Sequence, residues 1–202
     1  DDLYADVLMW LQKGWVDYMM PQLYWEHNHK AAPFSVLQPW WYEHCYKRHV
    51  YYGLGLYRMT NAKSGPWAST HELMWQLRDI QGRCPNSGYS FYSASCFDKI
   101  KSAVKDSLRN GPAKYPALVP AMPWIDNVPP AAPAVKQSGE QLEWTVRNPD
   151  KEPLKYVVYH FRAGESVNLE RSDRIVSLQQ GANFKLPEGK QRTGTWVVTA
   201  LD

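Results

Sequence analysis

Val16-Asp17-Tyr18-Met19-Met20-Pro21-Gln22-Leu23-Tyr24-Trp25-Glu26 reads as a buried strand that ends in an aromatic pair, a carboxylate and then a polar loop, His27-Asn28-His29-Lys30. In an α/β barrel the C-terminal end of a strand is where chemistry is placed. Tyr24-Trp25-Glu26 in that position reads as the floor of a sugar-binding cleft with an acid beside it.

The segments on either side set this strand in an alternating pattern. Before it, Leu3, Val7, Leu8, Trp10 and Leu11 recur at helical spacing, with Gly14 as the stop. After it, Pro33 opens a helical segment with Phe34, Val36, Leu37, Trp40, Trp41 and Tyr42 that runs to about Arg48. Residues 50–57 form a second, nearly continuous apolar strand. Gly65-Pro66 marks a loop, and Ser69 or Thr70 caps a helix holding Leu73, Met74, Leu77 and Ile80. Gly88 to Ser93 is a third strand. Asp98 begins a last helix through Ile100, Val104 and Leu108, stopped by Asn110-Gly111-Pro112.

The order αβαβαβα, with two continuously apolar strands, predicts a parallel sheet covered on both faces. Three strands cannot close a barrel, which needs about eight. The chain is then a small open sheet or the C-terminal part of a (β/α)8 TIM-type barrel. The abrupt start on a helix, at Asp1-Asp2, favours the second reading and predicts a mature or excised piece. The lack of a signal peptide therefore says little about compartment.

Seven prolines then lie between Pro112 and Pro133, in a stretch that is not helical. Beyond it the period switches to two. Leu142, Trp144 and Val146 alternate with polar residues, and Asn148-Pro149-Asp150 turns the chain. Further strands are expected at 156–161, 174–178 and 195–200, with turns at Gly181 and Pro187-Glu188-Gly189. This is the pattern of a small antiparallel β-sandwich. The expected organisation is α/β, with a partial barrel over 1–126 and the sandwich over 127–202.

The 202 residues carry a formal net charge of +3, and neither part is basic enough to suggest a nucleic-acid or anionic-membrane partner. No apolar run is long enough to span a membrane. Cys45, Cys84 and Cys96 lie far apart without metal-ligand spacing, so buried or free thiols are expected. The chain holds 10 Trp and 13 Tyr, and eight of the Trp precede residue 127. A buried indole needs a partner for its N–H; core packing accounts for most of these rings, and some are expected to serve a ligand.

Several of these residues also carry a family likeness. Asp17-Tyr18-x-x-Pro21-Gln22-Leu23-Tyr24-Trp25, then Trp40-Trp41, then Tyr52-Gly53, then Gly88 to Ser93 resembles the glycosyl-hydrolase-like family 10 proteins, also called DUF187, over roughly residues 3–125. The resemblance implies a (β/α)8 barrel with these strands as its sixth, seventh and eighth. It also implies a glycan-acting bacterial protein that is secreted, periplasmic or an outer-surface lipoprotein, some members acting on peptidoglycan strands. The tail resembles a fibronectin type III domain in Pro129-Pro130-x-x-Pro133, Leu142-x-Trp144, Tyr156-x-Val158-Tyr159 and Trp196-x-Val198-x-Ala200. It departs from that family in Trp196, where Tyr is usual, and in the expected lack of a last strand.

Hydrolysis of a glycosidic bond needs a general acid and a second carboxyl some ~5–9 Å away. Glu26 is the in-chain catalytic candidate; the alternatives are a hydroxyl-binding group and a solvated loop residue. The other strand ends, Tyr57-Arg58 and Ser93-Ala94-Ser95, supply no acid. Asp17 lies at the wrong end of its strand, Glu43 and Glu72 lie in helices, and Asp98 suits a helix N-terminus. The partner acid is expected outside this chain, which alone would be inactive.

The substrate-binding candidates are Gln22, Tyr24, Trp25, His29, Lys30, Tyr57, Arg58 and Trp67. Alternation should turn one of Tyr24 and Trp25 to the cleft. His29-Lys30 resembles a His-Lys pair that some family members carry after this strand, with a Gly where Asn28 stands. Arg58 suits an acidic sugar substituent or a surface ion pair, and Trp67, in a loop after the second strand, suits the cleft. His27-x-His29 has a metal-hydrolase spacing, but the other strand ends add no ligand, so neither metal nor cofactor is expected. One of Trp40 and Trp41 should be core.

The expected activity is that of a glycoside hydrolase on an oligosaccharide or polysaccharide. The alternatives are a non-catalytic carbohydrate-binding protein and an envelope scaffold. The expected partners are the missing N-terminal barrel half, or a second copy paired through the exposed sheet edge.

Overall fold

In a computed structural model, which describes residues 4–83, 87–147, 154–189 and 193–201, the first element is α1 (Val7–Lys13). Leu3, Cys84 and the expected turn at 148–150 lie outside the described residues. The Asp6 carboxylate caps α1 by accepting the Met9 N–H, and Gly14 ends it in the left-handed region at φ 70°.

The opening strand exists in two pieces. β1 (Tyr18–Met19) and β2 (Gln22–Leu23) both run parallel to β3 (His49–Leu54), with Tyr18 opposite His49 and Gln22 opposite Gly53. The register is the same on both sides of the gap. Pro21 has no N–H to give the ladder, yet its carbonyl accepts the Gly53 N–H at 2.9 Å. β4 (Gly88–Phe91) pairs in parallel with the other edge of β3.

Three helices follow these strands: α2 (Phe34–Glu43), α3 (His71–Arg83) and α4 (Ser102–Asn110). Leu23, Val50, Tyr52 and Leu54 of the sheet join Phe34, Leu73, Leu77, Ile80, Val104 and Leu108 in one core. Alternation turns Tyr18, Met20 and Gln22 to the opposite face, and all three are exposed. This corrects the expectation of a sheet covered on both faces: among the described residues helices cover one, and the other is lined by Tyr, Met, Gln, Gly and Ser. Among the described residues the sheet does not close on itself.

Two helix limits also differ from the sequence reading. α2 stops at Glu43 because His44 closes it, its N–H and ring Nδ1 both meeting the Trp40 carbonyl. Tyr46 and Lys47 then take positive φ values, which no helix continues through. Asp98 does not begin a helix. It ends a 3-10 turn over Ala94–Asp98, and α4 starts only at Ser102. Cys45 and Cys96 are free thiols, the latter buried in the core.

The chain divides into two units, Asp1–Lys114 and Tyr115–Asp202, so the division falls ahead of the expected boundary at 126. The second unit holds β5 (Ala134–Ser138), β6 (Gln141–Thr145), β7 (Lys155–Phe161), β8 (Ile175–Gln179), β9 (Asn183–Lys185) and β10 (Thr195–Leu201). They form two antiparallel sheets, β5–β6–β9 and β10–β7–β8. Leu142 and Trp144 of one meet Val158 and Val198 of the other, with Leu186. The alternate residues Val157, Tyr159 and Phe161 are buried on the outer face of β7. Leu118 packs there, which is why residues 115–126 belong with the sandwich.

Candidate functional site

Three consecutive strand ends of the first unit converge on one aromatic cluster. Tyr24 follows β2, Tyr57 lies in the 3-10 turn Leu56–Met59 after β3, and Tyr92 follows β4. Tyr24 stacks on Tyr92 with ring centres 5.8 Å apart, and Tyr57 meets both edge-on at 5.7 and 6.2 Å. Two backbone bonds set this up: the Tyr92 N–H donates to the Leu54 carbonyl, and the Tyr57 N–H donates to the Tyr92 carbonyl. Gly55 makes room, since a Cβ there would stand 3.2 Å from the Tyr24 Cβ and 3.3 Å from the Tyr57 ring. Burial, and then the neighbouring Tyr92 and Tyr57, push the Tyr24 phenol above its usual value. It is a neutral hydroxyl donor at any physiological pH. Tyr57 and Tyr92 keep 40% and 59% of their surface open, so the cluster presents usable ring surface.

Arg58 lies beside the cluster, its guanidinium carbon 5.6 Å from the Tyr57 ring centre. Its Nε is buried without a hydrogen-bond partner among the described residues. Gln22 is exposed on the same sheet face as Tyr24.

The loop after β2 is held from both sides. The Glu26 carbonyl accepts the His29 and Phe34 N–H groups at 3.1 and 3.2 Å. The His27 N–H donates to Glu72 Oε1 at 2.6 Å, and Gln76 Nε2 donates to the Trp25 carbonyl at 3.0 Å. Glu26 itself is half-buried. His27 is buried against Trp75, ring centres 3.6 Å apart, with its Nε2 2.9 Å from Asp79. His29 uses Nδ1 to accept the Ala31 and Ala32 N–H groups, and its ring tilts against Trp25 at 6.3 Å. Lys30 is exposed.

One candidate moves elsewhere. Trp67 is a core side chain in the 3-10 turn Pro66–Ala68, packed among Leu73, Leu77 and their neighbours. Its turn folds the indole inward, away from the expected place in a cleft. Of the Trp pair, Trp41 packs on the core while Trp40 is exposed and stacks on His44.

Sequence reasoning missed Tyr92, which stands one residue past its strand as Tyr24 does. It also missed the polar face of α3 formed by Glu72, Gln76 and Asp79. The arrangement offers flat rings, phenolic hydroxyls, the cations Arg58 and Lys30 and one carboxylate-bearing loop at one end of a parallel sheet. That set can stack on and hydrogen-bond a polyhydroxylated ring.

Comparison with known proteins points the same way. Residues 1–69 match the family model Glycosyl hydrolase-like 10. The chain is 31% identical over 190 residues to Glycosyl hydrolase YngK of Bacillus subtilis (strain 168), covering 89% of this chain and 37% of that protein. It is 34% identical over 61 residues to Glycosyl hydrolase DigH of Escherichia coli (strain K12), covering 29% of this chain and 14% of that protein. DigH of Shigella flexneri matches to the same extent. The chain thus spans well under half the length of the curated relatives it matches. The match to the family model runs from before β1 to beyond the 3-10 turn after β3, the stretch that carries Tyr24, Glu26 and Tyr57.

Proposed function

We propose that this chain supplies part of the active-site wall of a glycoside hydrolase. The observation that carries the reading is the convergence of Tyr24, Tyr57 and Tyr92, from three strand ends, beside Arg58 and the Glu26 loop. The tyrosine rings stack on sugar faces. Glu26 is the acid or base, and Gln22, Trp25, His29 and Lys30 are further contacts along the same end of the sheet. Arg58, a half-buried cation beside the rings, binds an acidic substituent such as a lactyl or uronic carboxylate, which fits peptidoglycan glycan strands among the substrates. The second carboxyl comes from outside the 202 residues, from the earlier strands of a (β/α)8 barrel whose last three strands are those seen here. The sandwich is fibronectin type III-like, and the protein works in the bacterial envelope or outside the cell.

The test is turnover of isolated peptidoglycan strands and plant-type glycans by the full-length protein, with and without Glu26→Gln. Loss of turnover in the variant with glycan binding retained supports the reading. Full turnover in the variant removes Glu26 from the chemistry. A second reading, a non-catalytic glycan binder, is favoured by one observation: neither Tyr57-Arg58 after β3 nor Ser93-Ala94-Ser95 after β4 supplies a carboxylate. Binding without turnover by the full-length protein would select it.

A further inference from the structure

Helix α3 carries Glu72, Gln76 and Asp79 at i, i+4 and i+7, on one face. Glu72 and Gln76 are buried. A buried carboxylate is costly unless donors compensate it, and an apolar residue of similar volume is often the more stable choice. Stability alone therefore does not explain a Glu at this position.

What the three residues hold does explain it. Glu72 Oε1 accepts the His27 N–H at 2.6 Å and the Gln76 Nε2 at 2.7 Å. The same Gln76 nitrogen donates to the Trp25 carbonyl at 3.0 Å. Gln76 Oε1 is left buried without a partner, so the amide gives up an acceptor bond to keep both donor bonds. Asp79 Oδ2 fixes the His27 ring at 2.9 Å, with Trp75 against its face and Arg83 3.7 Å from the other carboxylate oxygen. The residues on either side of Glu26 are thus bonded to α3, while the start of α2 bonds the Glu26 and His27 carbonyls from the other side.

We propose that Glu72 and Gln76 are positioning residues, with Asp79 supporting them. They fix the Trp25-Glu26-His27 backbone so that the Glu26 carboxyl meets the bound glycan in one geometry. The inference rests on the reading of Glu26 as acid or base. A displacement of about 1 Å at a reacting group costs about a hundredfold in rate.

The experiment uses the full-length protein, isolated peptidoglycan strands as substrate, and amide hydrogen exchange at His27 as a readout independent of turnover. Glu72→Leu removes the acceptor. It should speed His27 exchange and lower kcat about a hundredfold with KM little changed. Glu72→Gln keeps an acceptor oxygen and should restore both. Gln76→Met, which loses only the tie to Trp25 and the bond to Glu72, should lower kcat in the same direction and serves if Glu72→Leu does not fold. The proposal is overturned if His27 exchange is unchanged in Glu72→Leu, if Glu72→Gln loses as much rate as Glu72→Leu, or if Gln76→Met turns over at the parent rate. Full activity in Glu26→Gln would instead sink the role of Glu26, and the exchange data would still decide whether α3 clamps the loop.

Discussion

Trp67 and Tyr24 are both aromatic residues near strand ends, but their surroundings give them opposite duties. Trp67 lies in the core, so Trp67→Ala should cost about 3–5 kcal/mol of stability and leave glycan affinity in the surviving folded protein unchanged. Denaturant unfolding paired with isothermal titration checks both halves of that statement. Tyr24→Ala and Tyr92→Ala should do the reverse, because the half-buried Tyr24 ring stacks on the exposed Tyr92 ring. Each should weaken binding by about 0.5–1.5 kcal/mol, the usual worth of one aromatic contact. Unaltered affinity in both variants would remove the cluster from the site. The contrast has a plain origin in the sequence. Gly65-Pro66 signals a turn before Trp67, and a turn signal carries no information on which way the next side chain points. Tyr24 directly follows a strand, whose alternation carries over to set its side relative to the buried Leu23.

Among the elements, the connection between β7 and β8 behaves as a small ionic device. Arg174 grips Glu165 through Nε and Nη2, while Arg171 grips Asp173 through Nε and Nη2 and also reaches Glu165. The Arg174 hydrogen bond holds the Glu165 carboxyl below its ordinary 4.5. The Arg171 hydrogen bond likewise holds Asp173 below its ordinary 3.8. A carboxyl whose folded value is depressed contributes stability above its unfolded value and loses it as pH falls through the folded one. The melting temperature of the sandwich should therefore decline as pH drops below about 4. Glu165→Gln should flatten the decline, and added salt should shrink it in part, since the groups are only partly covered from solvent. Calorimetry across pH 2–6 in the parent and variant measures this, and an identical pH profile in the two would refute it. Elements also differ in how far the sequence announces them. β6 is readable because Leu142 and Trp144 alternate with exposed Glu143. β5 is exposed along its whole length and β9 has three residues, so neither imprints a period. The interruption at Met20-Pro21 follows from the missing proline N–H, and it splits a strand that hydropathy alone reads as continuous.

At the scale of the molecule, the parallel sheet of the first unit is the incomplete feature. β1 and β2 on one side and β4 on the other each pair with β3 alone among the described residues, and Tyr18, Met20 and Gln22 face outward uncovered. Parallel sheets are rarely stable with an open face and free edges. The isolated 202 residues should self-associate, and sedimentation showing a stable monomer over a range of concentrations would refute this. The helical and strand periods reveal the α/β character of this unit and the sandwich of the other. They do not reveal the clamp from α3 to the Glu26 loop, because contacts between residues 45 to 52 positions apart leave no local period. The buried outer face of β7 has a consequence for modularity. Val157, Tyr159 and Phe161 have Leu118 packed against them, so the portable sandwich begins in the proline-rich run after Lys114. A gene rearrangement or a protease that separates residue 126 from 127 would hand the sandwich on with an oily aromatic flank bared to water. Any host that borrowed it whole would have to carry the prolines along.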